Sequence, residues 1–204
     1  MGEQDDVVAA VSAGVRAMRI EADAVSAAAE RVAPELAEAV RLIRRAQGRV
    51  LVSGLGKSGH IGAKMAATLA STGTPAQFVH ATEALHGDSG TATPADVAIL
   101  ISNSGETAEV NHFARMLQAW GVPRIAMTRD PSSTLALLCD VHLDIRVERE
   151  ADPLGLAPTS SATVTLAIGD ALAAALMTLS GFTPADFAQR HPGGSLGAQL
   201  GAAR

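Results

Sequence analysis

Five short apolar segments, each followed by a turn-like break and then a helical pattern, constrain the fold of this chain more than any other feature. The segments lack the polar alternation of a half-exposed strand, so both faces of each strand should be covered. Strands that alternate with helices form a parallel sheet with helices on both sides. We therefore predict a three-layer α/β/α, Rossmann-like fold. The segments are residues 49–53, 76–80, 97–102, 124–128 and 141–145.

Residues 1–47 precede these strands and predict a helical arm. Apolar residues such as Val15 and Met18 recur there at helical spacing. Pro34 should interrupt the arm or open a second helix, because proline is not tolerated in a helix interior. The apolar side of the arm needs a partner, either the domain formed by residues 48–204 or a neighbouring subunit.

The charge balance limits the kinds of partner. The 204 residues are enough for one domain with a buried core. The net charge is -5, and Lys57 and Lys64 are the only lysines. A nucleic-acid-binding surface would need a broad basic patch, so we expect no nucleic-acid partner.

The compartment is predicted from the cysteine content and the absence of targeting segments. The single Cys139 lies in an apolar run and favours a buried thiol in a reducing, cytoplasmic setting. The N-terminus has no pattern of a signal peptide or of myristoylation. The apolar segment 164–179 is shorter than the roughly 20 residues of a bilayer span. We interpret it as a buried helix and expect no membrane partner.

The segment after the first strand, GLGKSG at residues 54–59, matches the dinucleotide pattern G-x-G-x-x-G. A nicotinamide-binding domain should have an acidic residue at the end of the second strand, where this chain has His80. Leu51 stands where a P-loop needs its first glycine. The remaining interpretation is a glycine-rich helix start where Lys57 and backbone N–H groups bind an anion. A tight turn with a surface lysine is the alternative.

The segment after the third strand, SNSGET at residues 102–107, places hydroxyl groups before a helix expected to begin near Glu106. Hydroxyl and N–H donors at a helix start favour a phosphate, although simple capping is the alternative. Glu106 and Glu109 should share one face of that helix. A further group, PTSS at residues 158–161, opens the last long helix. Because parallel strands end at one edge, these loops predict one anion site.

The segments 54–59 and 102–106 together resemble the sugar isomerase (SIS) domain. Three further blocks are similar to those of arabinose-5-phosphate isomerases: HATEALHGDSG (80–90), PLGLAPTSS (153–161) and HPGGSLG (191–197). The resemblance implies a five-stranded parallel sheet between helices, assembled as a homotetramer with sites at subunit interfaces. It also implies interconversion of aldose and ketose phosphates with no cofactor.

Three features depart from the pattern of that family. Its members commonly continue after the last block into a pair of cystathionine-β-synthase (CBS) modules, whereas this chain stops at Arg204, so we expect no regulation through such modules. Ala198-Gln199 stands where a basic residue is expected, and Thr82 stands where glycine is usual.

Isomerisation moves a proton between C1 and C2 of the sugar through a cis-enediol. It needs an acid/base group and donors that stabilise the developing oxyanion. By resemblance, His191 is the candidate general acid or base, assisted by Glu109 or Glu150. No metal is expected, although His86 could be an incidental ligand. The implied catalytic residues are His191, Glu109, Glu150, His86 and Lys57.

The loops should supply the contacts to sugar and phosphate oxygens. The preferred substrate is D-arabinose 5-phosphate, which would become D-ribulose 5-phosphate. Another SIS isomerase, acting on a hexulose or heptose phosphate, and a non-catalytic phosphosugar sensor stay open, and a nicotinamide-dependent dehydrogenase is a third alternative. The predicted binding residues are Gly56, Lys57, Ser58, Ser102, Asn103, Ser104, Thr107, Thr159 and Ser160.

Overall fold

A computed structural model describes residues 3–193 of the chain. It contains a sheet of five parallel strands in the order β2-β1-β3-β4-β5, which confirms the predicted fold class. Residues 194–197 of the HPGGSLG block and the Ala198-Gln199 departure lie outside the described residues. The strands are β1 (Val50–Gly54), β2 (Ala76–His80), β3 (Val97–Ile101), β4 (Arg124–Thr128) and β5 (Val141–Asp144).

Helices cover both faces of the sheet, as the continuous apolar strands require. A short 3₁₀ turn occupies Asp88–Thr91. The helices are α1 (Glu3–Arg45), α2 (Gly56–Ser71), α3 (Ala81–Ala84), α4 (Ala108–Ala119), α5 (Thr134–Leu138), α6 (Ser160–Ser180) and α7 (Pro184–Arg190). Alternate strand residues point to opposite faces: Val50 and Val52 pack with α1, α2 and α6, whereas Leu51 packs with α3, α4 and α5.

The strand register brings the ends of the central strands to one level. Gly54, the last residue of β1, pairs with His80 of β2 and Ile101 of β3, and Ile101 pairs with Met127 of β4. Since β3 lies between β1 and β4, the loops after these three strands are neighbours. This edge is where ligands bind in open parallel sheets.

The expected break at Pro34 is wrong, because α1 runs through this residue as one helix. Pro34 is exposed, while Val32 before it and Ala39 and Ile43 after it are buried in the core. Packing on both sides therefore holds the helix together despite the hydrogen bond that proline cannot make.

The N-terminal half of α1 has an apolar stripe on its outer side. Val8, Val11, Val15 and Met18 follow one another at intervals of three and four residues, and their exposed fractions are 61%, 61%, 43% and 72%. Residues on the opposite side of this half, such as Ile20, face the segment after β5. Spacing of this kind suits packing against another helix.

Helix α6 is long and apolar enough to cross a membrane by length and composition alone, and no other helix in the described part of the chain passes that test. Val164, Ile168 and Leu172 of α6 are buried in the core. The helix contacts both α1 and α2, so it forms part of one layer of the sandwich.

Candidate active site

The carboxyl edge of the sheet contains a cavity of about 380 Å³ between the loops after β1, β3 and β4 and the start of α6. Two basic side chains, Lys57 and Arg129, line it, and no acidic residue of the described chain does so. An environment of cations and hydroxyl groups favours an anionic ligand. The predicted binding residues that line the cavity are Lys57, Ser58, Ser102, Asn103, Ser104 and Thr107.

Glycine allows the turn between β1 and α2 to form the wall of the cavity. A Cβ on Gly54 would lie 3.1 Å from the carbonyl oxygen of Ile101, so a side chain there would push the two strand ends apart. Gly56 begins α2 with a φ of +54°, in the left-handed region. Lys57 and Ser58 therefore lie in the first turn of α2, where the helix dipole favours an anion.

The loop of residues 102–107 is shaped by its own hydroxyl groups. Ser102 Oγ and Thr107 Oγ1 lie 2.8 Å apart, and the Gly105 N–H donates to Ser102 Oγ at 3.1 Å. Ser102 is 3% exposed, whereas Ser104 is exposed. Ser102 thus maintains the loop conformation, and Ser104 is the hydroxyl more accessible to a ligand.

The segment after β4 supports this loop from one side. The Arg129 N–H donates to Asn103 O, and the Leu135 N–H donates to Gly105 O, each at 3.0 Å. Gly105 has a φ of +72°, and a Cβ there would overlap the Ser133 hydroxyl. The two segments therefore pack without room for a side chain at this position.

Glu106 lies outside the helix that carries Glu109, since α4 begins at Ala108 rather than near Glu106. Its carboxylate accepts hydrogen bonds from the N–H and the hydroxyl of Thr134, the first residue of α5, at 2.7 Å each. The Thr134 N–H, and then the hydroxyl, hold the pKa of Glu106 below its ordinary value. The expected shared face with Glu109 is wrong, because Glu106 caps another helix.

Glu150 holds the start of α6. Its carboxylate accepts hydrogen bonds from the N–H groups of Thr159 and Ser161, at 2.9 and 3.2 Å, and from the hydroxyls of both residues. Burial raises the pKa of Glu150, but these hydrogen bonds, led by the Ser161 hydroxyl, outweigh burial and lower the pKa overall. Glu150 is therefore an ionised cap that positions Ser161 at the cavity wall.

Three predicted binding residues, Gly56, Thr159 and Ser160, do not line the cavity. The Thr159 hydroxyl donates to Glu150 and accepts the Ala151 N–H at 2.7 Å. Ser160 is fully buried, and its hydroxyl has no hydrogen-bond partner among residues 3–193. The next residue, Ser161, lines the cavity.

Glu109, in the helix after β3, and His86, after the short helix that follows β2, are at the same edge of the sheet, but neither lines the cavity. Glu109 is partly buried in the first turn of α4. His86 follows α3, and its side chain is exposed.

His191 lies near the opposite edge of the sheet in the same chain. It follows α7, its ring stacks on Phe187 with 3.9 Å between centroids, and its Nδ1 is 2.8 Å from Phe187 O. The preceding Arg190 lies over the ring of Phe182. Phe182 contacts Gly73, which follows the end of α2 that is remote from the cavity.

The length of α6 explains the position of His191. Ser161, at the start of α6, lines the cavity, and the helix continues for 21 residues to Ser180 before α7 begins. At about 1.5 Å per residue, α6 spans roughly 30 Å. Within one chain the structure therefore does not bring His191 to Lys57 and the 102–107 loop.

A second groove, of about 470 Å³, lies between α1 and the segment after β5. Its charges are mixed, so it has less preference for an anion than the cavity beside Lys57. The charged residues of the groove are Asp23, Arg31, Arg146, Glu148 and Arg149.

Within residues 3–193, no group of three or more His, Cys, Asp or Glu side chains could hold a metal ion.

Arg129 and Ser161 line the cavity but are absent from the predicted binding residues, although Ser161 belongs to the PTSS segment assigned to the anion site. Arg129 directly follows β4, so the carboxyl-end rule applied to the fourth strand would have identified it. Ser161 differs from Ser160 by about 100° around the helix axis, and only the packing of α6 decides which hydroxyl meets the cavity.

Comparison with known proteins identifies the family of this chain. Residues 42–175 match the SIS domain family. The arabinose 5-phosphate isomerase KdsD of Pseudomonas aeruginosa is 51% identical over 185 residues, which are 91% of this chain and 57% of that protein. KdsD of Escherichia coli K12 is 58% identical over 154 residues, which are 76% of this chain and 47% of that protein. This chain thus spans about half the length of these curated relatives.

A solved structure is also similar over nearly the whole chain. It is an Escherichia coli CFT073 protein in complex with arabinose 5-phosphate, with a TM-score of 0.87 and 46% identity. The alignment covers 94% of this chain and 100% of that chain. The strand order and the helical layers described above therefore match an experimentally determined fold.

Proposed function

This chain belongs to the SIS domain family, and from that premise we propose that it is an aldose–ketose isomerase converting D-arabinose 5-phosphate to D-ribulose 5-phosphate. The observation that carries the proposal is the cavity lined by Lys57, Arg129 and hydroxyl groups, without an acidic residue of the described chain. The named activity of relatives at 51% and 58% identity supports the choice of sugar. Residues 48–204 would form the phosphosugar-binding domain and residues 1–47 the arm.

The phosphate would bind at the start of α2 and the 102–107 loop. Lys57 provides a positive charge, Ser58 and Ser104 provide hydroxyls, and the first turn of α2 adds backbone N–H donors. This arrangement leaves C1 and C2 of the sugar, the end remote from the phosphate, free to extend toward acid and base groups at the rim of the cavity.

The chemical step is a proton transfer between adjacent carbons. A base removes the proton from C2 of the open aldose while an acid protonates O1, giving a cis-enediol. The proton is then returned to C1 as the C2 hydroxyl loses its own proton and becomes the ketone. Glu109, two residues after Thr107 of the cavity wall, and His191 are the proposed acid and base, with His86 as a further candidate. Glu150 is more suitable as a positioning residue, because its carboxylate is ionised and engaged with Thr159 and Ser161.

A role for His191 requires a second subunit. Since α6 separates His191 from the cavity of its own chain, the imidazole would have to reach the cavity of a neighbouring chain. We therefore propose a homotetramer with sites at subunit interfaces. The exposed stripe of Val8, Val11, Val15 and Met18 on α1 is the surface we assign to contact with another copy.

A reducing, cytoplasmic setting suits this proposal. Cys139 is mostly shielded, and burial raises the pKa of its thiol to about 12. A thiol with so high a pKa is almost entirely protonated at neutral pH and forms disulfides slowly.

The decisive experiment incubates the purified protein with D-arabinose 5-phosphate in deuterated water and follows the products by NMR. We expect D-ribulose 5-phosphate and incorporation of solvent deuterium at the carbon that receives the proton. Unphosphorylated arabinose and hexulose and heptose phosphates serve as controls for substrate choice. Binding without product or exchange would indicate a phosphosugar sensor and refute the proposal, and faster turnover of a hexulose or heptose phosphate would refute the choice of sugar.

A further inference from the structure

We propose that Arg129 is a second phosphate-binding cation of the cavity, acting on the opposite side of the 102–107 loop from Lys57. The proposal rests on the phosphosugar binding proposed above and extends it to a residue that determines the preference for a phosphorylated sugar. Lys57 follows β1 and Arg129 follows β4, with β3 between them in the sheet. Both side chains line the same cavity.

The backbone of Arg129 is fixed relative to the donors of the loop. Its N–H donates to Asn103 O at 3.0 Å. A few residues later, Thr134 is bound by the carboxylate of Glu106, and Leu135 donates to the carbonyl of Gly105. The base of the Arg129 side chain therefore keeps one position beside the loop, and a ligand held by the loop lies within its reach.

The guanidinium of Arg129 is available for a ligand. Within residues 3–193 it makes no ion pair or hydrogen bond to another side chain. Hydrogen bonds from the hydroxyl and the N–H of Ser132 lower the pKa of the adjacent Asp130, and the charge of Arg129 lowers it further. The Asp130 carboxylate is therefore hydrogen-bonded to Ser132 rather than to the guanidinium of Arg129. The Arg129 side chain is exposed at the mouth of the cavity.

The charge of the proposed ligand calls for a second cation. A phosphate monoester carries roughly -1.5 to -2 charges at pH 7, and Lys57 alone provides one positive charge. With no acidic residue of the described chain on the cavity wall, Arg129 brings the charge of the site close to that of the phosphate. A guanidinium also donates two parallel hydrogen bonds to phosphate oxygens, which an ammonium group does not.

A contact with the phosphate should affect binding more than chemistry. The phosphate does not change during isomerisation, so an interaction with it stabilises the bound substrate and the transition state equally. Removing such an interaction raises KM and leaves kcat nearly unchanged. This pattern distinguishes Arg129 from a residue that acts on the reacting carbons.

The test compares Arg129→Gln, Arg129→Lys and the charge-matched control Arg45→Gln. Arg45 is exposed at the end of α1, at the edge of the sheet opposite the cavity. Binding of D-arabinose 5-phosphate and of inorganic phosphate is measured by calorimetry, and kcat and KM are measured for the sugar phosphate. We expect Arg129→Gln to weaken both ligands and raise KM by roughly 10- to 100-fold, with kcat within about twofold. Arg129→Lys should give an intermediate loss, and Arg45→Gln should match the wild type.

Unchanged binding by Arg129→Gln would overturn the inference, as would a loss of kcat at constant KM. If Arg129→Gln does not fold, Arg129→Lys decides the matter, because a guanidinium-specific contact predicts weaker phosphate binding even with the charge retained. A wild-type protein that binds no sugar phosphate would refute both proposals. A wild-type protein that binds without isomerising would refute the proposed reaction alone, since the binding measurements still test Arg129.

Discussion

The carboxylate of Glu106 accepts hydrogen bonds from both the N–H and the hydroxyl of Thr134, at 2.7 Å each. This pair joins the loop after β3 to the helix after β4, directly beside the cavity. Because both bonds stabilise the ionised form and lower the pKa of Glu106, this carboxylate is poorly suited to accept a proton near neutral pH. Its position identifies it as a structural support for the 102–107 loop.

Replacing Glu106 with Gln should displace the loop, because one carboxylate oxygen becomes an NH₂ group that faces the donors of Thr134. We expect kcat/KM to fall roughly tenfold or more, since small misplacements of binding groups have large effects. The limbs of the pH–rate profile should keep their apparent pKa values. Thr134→Val should cause part of the same loss, and the double variant should lose little more than Glu106→Gln alone. A pH profile that lost its acidic limb in Glu106→Gln would instead identify Glu106 as the base.

The two lysines provide a matched comparison for the cavity. Lys57→Gln and Lys64→Gln remove the same charge, but Lys57 lines the cavity, whereas Lys64 pairs with Asp170 on an exposed surface. We expect the first variant to bind D-arabinose 5-phosphate roughly 10- to 100-fold more weakly. The second should stay within about twofold of the wild type, because exposed ion pairs contribute little. Calorimetric titration measures both, and equal losses would indicate a general charge effect rather than a contact.

The stability of the protein should depend on the ionisation of Glu150. The pKa of this carboxyl is lower in the folded chain than the value of about 4.3 expected when unfolded. The stabilisation is therefore present above the unfolded pKa and is lost as pH falls through the folded pKa. Urea unfolding between pH 7 and pH 3 should show a steeper decrease in unfolding free energy for the wild type than for Glu150→Gln. Parallel curves for the two proteins would contradict this account.

Gly105 should tolerate alanine much less than another glycine with a similar backbone. Gly105 and Gly181 have φ values of +72° and +64°, but only at Gly105 would a Cβ overlap another group, the Ser133 hydroxyl. Gly181→Ala should lower the free energy of unfolding by about 1–2 kcal/mol from the backbone alone. Gly105→Ala should lower it by about 2–5 kcal/mol, because crowding adds to that strain. Denaturant midpoints test the difference, which would vanish if the loop simply moved aside.

The outer stripe of α1 should control assembly. Replacing Val11 with Lys places a charge at the centre of the proposed contact, whereas Ala10→Lys places the same charge away from the stripe on the same helix. We expect Val11→Lys to sediment as a smaller species and to lose activity, and Ala10→Lys to behave like the wild type. Sedimentation velocity and isomerase assays measure the two effects. Retention of the wild-type assembly by Val11→Lys would exclude this stripe as the contact.

The strands were predictable because burial on both faces leaves continuous apolar runs, and each observed strand begins and ends within one residue of its expected range. The continuity of α1 through Pro34 could not be predicted, since it depends on the packing of Val32 and Ile43 against core residues from later parts of the chain. Local patterns also gave no indication that Glu106 caps α5, because its partner Thr134 is 28 residues away. Interactions of this range become visible only when strand order and register are known.

The path of the chain after α6 could not be predicted from the sequence either. His191 stands in a turn-like sequence that is compatible with either edge of the sheet, and only the packing of Phe182 near Gly73 assigns it to the edge away from the cavity. Arg129 likewise resembles an ordinary turn residue until the order β1-β3-β4 makes it a neighbour of the 102–107 loop.

The length of α6 has a genetic consequence under the proposed assembly. One end of the helix contributes Ser161 to the cavity of its own chain, and the other end leads to His191 roughly 30 Å away. Each site would then take Lys57 from one chain and His191 from a neighbouring chain. A substitution at Lys57 and a substitution at His191, carried by different polypeptides, would inactivate different parts of such a site. Two inactive alleles of this kind, expressed in one cell, would produce mixed oligomers with some intact centres and restore part of the turnover that neither allele provides alone.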